Sequence, residues 1–183
     1  MKILIRNSLL VFVIFGGIAS AEVLHAGAGG FTIANEVTVD ASRDAVWQAA
    51  IEEIGEWWSS DHTISGDASR LSITPVPQGC FCESFGAGAG VVHLVVTMVN
   101  PGVIIRLTGG LGPLGLMGVN GNMIWEFESV DDGTSVKFTY AVGGYRPDGL
   151  DTIAGPVDSV IGEALARLKA HIETGDAENA DID

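Results

Sequence analysis

Residues 156–173 read PVDSVIGEALARLKAHIE, and this stretch decides the fold. Val157, Ile161, Ala164, Leu168 and Ile172 recur near the α-helical period, which lays one apolar stripe along about five turns. Arg167, Lys169 and His171 fall toward the C-terminal end, where a helix dipole favours positive charge. Pro156 lacks the N–H that a helix interior uses. Either the helix starts near Gly155, or residues 151–155 add a kinked turn ahead of it.

A long one-sided helix needs an apolar surface to cover, and the chain upstream supplies one. Segments 71–76, 79–85, 91–99, 103–108, 122–130 and 135–142 are short, apolar and strand-like, with Gly, Pro, Asn or Asp at their joints. Asp131-Asp132-Gly133 and Asn100-Pro101-Gly102 are strong turn sequences. Ahead of them, 31–39 alternates like a strand. Asp40-Ala41-Ser42 then has capping chemistry, and Trp47, Ala50, Ile51, Ile54 and Trp57 or Trp58 follow at helical steps. Gly55 divides that region into two short helices. The expected class is α+β: a curved antiparallel sheet wrapped around the long C-terminal helix, the only element long enough to cover it.

The ends differ in character. Lys2 and Arg6, an apolar run 9–18 and Ala19-Ser20-Ala21 have the layout of a cleavable secretory signal over 1–21. The run is about half the roughly 20 residues a membrane span needs, so no stable membrane anchor is expected. Periplasmic or secreted localisation follows, with residues 22–30 as a lead-in, 31–174 as the domain and 175–183 (GDAENADID) as a solvated acidic tail. The formal net charge of −14 becomes more negative once Lys2 and Arg6 leave, which excludes nucleic acid as an expected partner.

Taken together, VDASRDAVWQAAIEEIGEWW (39–58), HLVVTMVNPGVIIRLTG (93–109), GTSVKFTY (133–140) and the closing helix, in the order β-α-α-β(6)-α, resemble the START-like (SRPBCC) superfamily. The resemblance covers roughly 31–174 and is closest to the polyketide cyclase/dehydrase and Hsp90-ATPase-activator-homologue branches. It implies a helix-grip fold with a cavity between sheet and C-terminal helix that holds an apolar or amphipathic ligand. In some members that cavity is catalytic.

The hairpin GCFCESFGAGAGVVHLVVTM (79–98) carries the reactive side chains. The five-residue stretch GAGAG (86–90) favours a three- or five-residue turn symmetric about Gly88, which would set Glu83 opposite His93, beside Phe81, Phe85, Val91 and Val95, with Cys80, Cys82 and Ser84 on the other face; an even-numbered loop would instead bring Cys82 or its neighbours to the His93 face. A Glu83/His93 pair among aromatics suits general acid–base catalysis, and equally a buried cross-strand pair that only fixes register. In a regular strand, Cys80 and Cys82 would stand about 6.6 Å apart, against the about 3.8 Å between disulfide Cβ atoms. Two protected free thiols are therefore expected, unless a bulge intervenes. A C-x-C with one histidine is too sparse for a metal site, and neither a metal nor any other cofactor is implied.

Trp47, Trp57, Trp58, Trp125, Phe127, Phe138 and Tyr140 supply the aromatic area of the core. Trp58, Trp125 and Tyr140 are also candidates for a ligand-facing wall, as are Phe81 and Phe85. Residues 109–121 (GGLGPLGLMGVNG) place Leu114 and Met117 on a backbone with six glycines, suiting either a mobile flap or a tucked loop. Tyr145 would stand on the rim, and His62, in a polar loop, would pass near one end of the cavity. Asp158, near the helix start, is accounted for by the helix dipole.

The functional expectation is an exported, monomeric binder of a small apolar or amphipathic molecule. The alternative is a cyclase, dehydratase or hydrolase using Glu83 and His93. A chaperone-associated module is a third possibility, which export from the Hsp90 compartment disfavours.

Overall fold

A computed structural model describes residues 20–180. Most of the expected signal, 1–19, and the last three residues lie outside that range. The element order is β1 (Ser20–Gly27), β2 (Gly30–Val39), α1 (Arg43–Glu52), α2 (Ile54–Trp57), β3 (Leu71–Ile73), β4 (Cys80–Gly86), β5 (Ala89–Asn100), β6 (Ile104–Gly109), β7 (Gly118–Val130), β8 (Gly133–Tyr145) and α3 (Asp151–Thr174). The strands form one antiparallel sheet in the order β1-β2-β8-β7-β6-β5-β4-β3. Register shifts in the β1/β2, β4/β5 and β5/β6 pairs mark bulges, which bend strands and deepen a sheet's curvature.

Helix α3 covers the concave face. Ile161, Leu165 and Leu168 are fully buried beneath it, each worth about 1.5–3 kcal/mol in apolar area removed from water. Val157 and Ile172, on the expected stripe, are only half-buried. The helix starts at Asp151, so Pro156 lies inside it with a turn ahead, the second of the two readings its position allowed. Polar ties fix α3 along its length. Asn35 of β2 donates to Asp158 at 2.8 Å, Arg167 Nε donates to the Trp57 carbonyl at 2.9 Å, Lys169 donates to the Thr38 carbonyl, and His171 bonds Glu53 at 2.8 Å. Asp158 therefore has a specific partner beyond the helix dipole.

Helices α1 and α2 pack between α3 and strands β3 and β7. The Ser42 side chain caps α1 by accepting the Ala45 N–H, and the Trp57 indole N–H donates to the Ala49 carbonyl, folding α2 back on α1. Trp125 and Phe138, neighbours on β7 and β8, stack at 4.2 Å in the centre of the core.

Both end segments carry contacts that their composition does not announce. β1 runs from the last two residues of the expected signal through most of the lead-in and extends the sheet beyond β2. Residues 175–180 are mostly exposed but are tied back to the domain at two points. Ala177 is buried and Glu178 pairs with Arg167 at 2.6 Å, a contact that a composition dominated by acidic and small residues conceals.

The hairpin register is also a correction. The turn is the two-residue Ala87-Gly88, both at positive φ, so opposing positions sum to an odd number near the tip. Bulges at Phe85 and at His93 then shift the pairing twice. Glu83 faces Val91 across the ladder, and Phe81 faces Leu94. The His93 bulge turns both His93 and Leu94 inward, which returns His93 to the Glu83 face by a route that a regular hairpin does not offer.

The cysteines are a second correction. Cys80 and Cys82 form a disulfide with Cα atoms 5.4 Å apart. The pairing shifts register between Phe81 and Cys82, opposite the His93 bulge, and β4 there departs from the regular strand geometry that argued for free thiols.

Candidate functional site

A cavity of about 320 Å³ opens between three elements: the 3-10 turn at 60–62 with the residues flanking it, the loop 111–117, and the N-terminal half of α3. Its walls are mainly apolar, with Leu111, Leu114 and Met117 on the loop side and Ile153, Val157 and Val160 on the helix side. Val157 is half-buried for this reason, since its side chain lines open space instead of the sheet. The volume is at the lower end of small-molecule sites. A wider depression of about 500 Å³ near the β1–β2 turn is open to solvent and walled largely by glycine and asparagine, so it would bury little of an apolar ligand.

Four of the expected ligand-facing residues line the cavity: Trp58, His62, Leu114 and Met117. Phe81, Trp125 and Tyr140 are fully buried behind it. An aromatic series runs inward from the wall, Trp58 to Phe81 at 5.5 Å and Phe81 to Trp125 at 6.5 Å. Phe85 and Tyr145 are displaced to the surface, at 39% and 73% exposure. Phe85 is carried out by the bulge beside the hairpin turn, and Tyr145 ends β8 beyond the sheltered face. Sequence reading missed the helix-side wall, because Val157 and Val160 share the apolar periodicity that also describes a packed core.

Glu83 and His93 meet at 3.0 Å, both almost completely buried and neither on the cavity surface. Their partners show what they hold. The Glu83 carboxylate accepts the N–H groups of Ile64 at 3.0 Å and Ser65 at 2.6 Å, as well as the His93 Nε2–H. His93 Nδ1 accepts the Gly112 N–H at 3.3 Å. That donation requires an unprotonated Nδ1 and assigns the imidazole proton to Nε2, facing the carboxylate. Ile64 and Gly112 both line the cavity, on opposite loops. One buried pair thus holds the backbone of both loops from behind. Burial alone would push the Glu83 carboxyl up, but the hydrogen bonds from Ser65, Ile64 and His93 outweigh it and hold the group below its ordinary range.

The 109–121 loop is tucked, with a short 3-10 turn at Gly112–Leu116. Tyr140 Oη donates to the Gly109 carbonyl at 2.8 Å and accepts the Leu111 N–H at 3.1 Å; burial pushes its phenol up to about 12. Gly110 is needed for close approach, since a Cβ there would lie 2.7 Å from the Gly115 nitrogen. Leu114 turns into the core, whereas Leu116 is 90% exposed.

Two further polar features bear on chemistry. His62 Nε2 bonds Glu163 Oε2 of α3 at 2.9 Å, closing one side of the mouth. Among the described residues, Glu53, Glu56 and His171 bring possible metal-ligand atoms within 4.8 Å of one another. Glu53 is already bonded to His171, Glu56 is exposed, and the group lies ten residues, or about 15 Å, along α3 from Ile161 of the cavity wall.

Comparison with known proteins agrees with this architecture. The family model described as polyketide cyclase / dehydrase and lipid transport matches residues 30–173. The chain belongs to this family. Among solved structures, a conserved protein of unknown function from Enterococcus faecalis superposes with a TM-score of 0.60 at 15% identity, covering 90% of this chain and 82% of that one. A protein from Mesorhizobium loti gives 0.58 at 17% identity, covering 79% and 98%. The Aha1 dimer from Colwellia psychrerythraea gives 0.56 at 19% identity, covering 79% and 97%. At these identities the likeness establishes the START-like helix-grip fold alone. No curated protein matches the sequence. Among the described residues, no helix is long and apolar enough to cross a membrane.

Proposed function

We propose that this family member is an exported carrier of a small amphipathic molecule, which it holds between the 58–64 and 111–117 loops and α3. The observation that carries the reading is the apolar cavity itself, whose two loops are anchored from behind by Glu83, His93 and Tyr140. A fold with its sheet face filled by Trp57, Trp125, Phe138 and Tyr140 needs no second apolar surface to be stable. Yet Leu111, Met117, Val157 and Val160 remain around open space. Buried polar residues fixing both loops represent preorganisation of a site, because ordering them in advance reduces the entropic cost of binding.

In this reading Glu83 and His93 are positioning residues. Catalysis by the pair would require a substrate to reach atoms that two loop backbones already occupy. Export rests on the 1–21 sequence, and a single chain is the proposed working unit.

Native mass spectrometry of protein purified from its own host tests the carrier reading. The expected result is a retained small molecule that organic extraction releases. Protein that is empty from its host and takes up no apolar probe would contradict it.

A further inference from the structure

The cavity is polar at one place only. Asp61, His62 and Thr63 are consecutive, so its ionisable lining is confined to one short segment at the mouth, where His62 meets Glu163. No lysine or arginine lines it. Arg70, the nearest arginine or lysine in sequence to that segment, is paired with Asp67 at 3.0 Å, and Arg167 is committed to Trp57 and Glu178.

What remains available there is hydrogen-bond acceptance. Thr63 Oγ1 already donates to the Ser60 carbonyl at 2.8 Å and accepts the Asp67 N–H at 3.0 Å. His62 Nε2 faces the Glu163 carboxylate, which places the proton of a neutral ring on that nitrogen and leaves Nδ1 a lone pair. Asp61 adds a carboxylate, which only accepts. A ligand carboxylate brought to this mouth would meet two protein carboxylates and find no unused donor side chain. An amine or hydroxyl would find acceptors.

We propose that the ligand is a compact amphipath whose polar end is a hydrogen-bond donor, an amine or an alcohol, set against Asp61 and His62 with its apolar part between Met117 and Val157. Acidic amphipaths such as fatty acids are disfavoured at this mouth. The proposal rests on the carrier reading and adds to it the chemical class of the ligand's head and the residues that select it.

Displacement of the uncharged fluorophore phenylnaphthylamine by octylamine, octanol and octanoate, at about pH 8 where an imidazole is ordinarily neutral, tests the head group at constant chain length. Octylamine and octanol should displace the fluorophore at concentrations roughly tenfold below octanoate. Asp61→Asn combined with Glu163→Gln should narrow that gap by weakening octylamine and strengthening octanoate. Octanoate displacing as well as octylamine, a gap unchanged in the double variant, or displacement by none of the three with the fluorophore still bound would each overturn the proposal while leaving the cavity in place. A fluorophore that does not bind at all overturns the carrier reading beneath it.

Discussion

The Ser65 N–H lies 2.6 Å from a carboxylate oxygen of Glu83, a residue 1% exposed and eighteen positions further along the chain. This contact, with the Ile64 bond beside it, fixes the loop that leads from the aromatic core to the cavity mouth. Its loss has a direct consequence. Glu83→Gln keeps the shape but offers one acceptor oxygen where three N–H donors converge, so at least one buried donor is left facing an amide. The expected cost is about 1–3 kcal/mol in urea unfolding. Faster hydrogen exchange at Ile64 and Ser65, ahead of global unfolding, should accompany it. Unchanged exchange at those two amides would show that the carboxylate does not hold the loop.

The same carboxylate sets an acid limit. Its pKa is lower folded than unfolded, so its stabilisation is fully present above the ordinary glutamate value of about 4.3 and is lost as pH falls through the lower folded value. Stability should therefore decline below about pH 4, and Glu83→Gln should flatten that decline while lowering the plateau at neutral pH. Parallel acid limbs for the two proteins would contradict the assignment.

Tyr140→Phe removes the phenol that bonds the Gly109 carbonyl and the Leu111 N–H without altering the aromatic ring. A loss of about 1–2 kcal/mol is expected, with weaker probe binding because the 111–117 wall loses its anchor. In the native wild type the phenol should resist ionisation until about pH 12, read by ultraviolet absorbance. Ionisation of Tyr140 near pH 10 in the folded protein would show that it is not sealed.

Cys80 and Cys82 are disulfide-bonded, so unfolded and unreduced protein should contain no reactive thiol, and two should appear after reductant. Labelling of either cysteine before reduction would restore the free-thiol reading.

The fold was legible because its evidence is periodic. The α3 stripe, the repeated strand-and-turn segments and the Gly55 break between α1 and α2 each follow from residue spacing, and each appears in the structure. The hairpin was harder. Ala87 at positive φ gives a two-residue turn where a longer symmetric one was expected, and bulges carry no reliable signal in a single sequence. Glu83 and His93 meet all the same, since two unregistered shifts brought them to one face. Trp58, His62, Leu114 and Met117 do line the cavity, the first two on the turn after α2 and the others on the β6–β7 loop, segments remote from α3 in the chain that the fold sets against it. Whether an aromatic lines a cavity or stands one layer behind it depends on packing depth, and so Phe81, Trp125 and Tyr140 could not be separated from Trp58 by pattern.

The central claim is that the space under the N-terminal half of α3 is a binding site. Backbone amide shifts of isotope-labelled protein titrated with phenylnaphthylamine test it most directly, with Val157→Trp as the filled-cavity control. The account predicts saturable shifts concentrated at 61–64, 111–117 and 153–161, abolished in a Val157→Trp protein that remains folded. Shifts centred elsewhere, or binding undiminished in the filled variant, would contradict it.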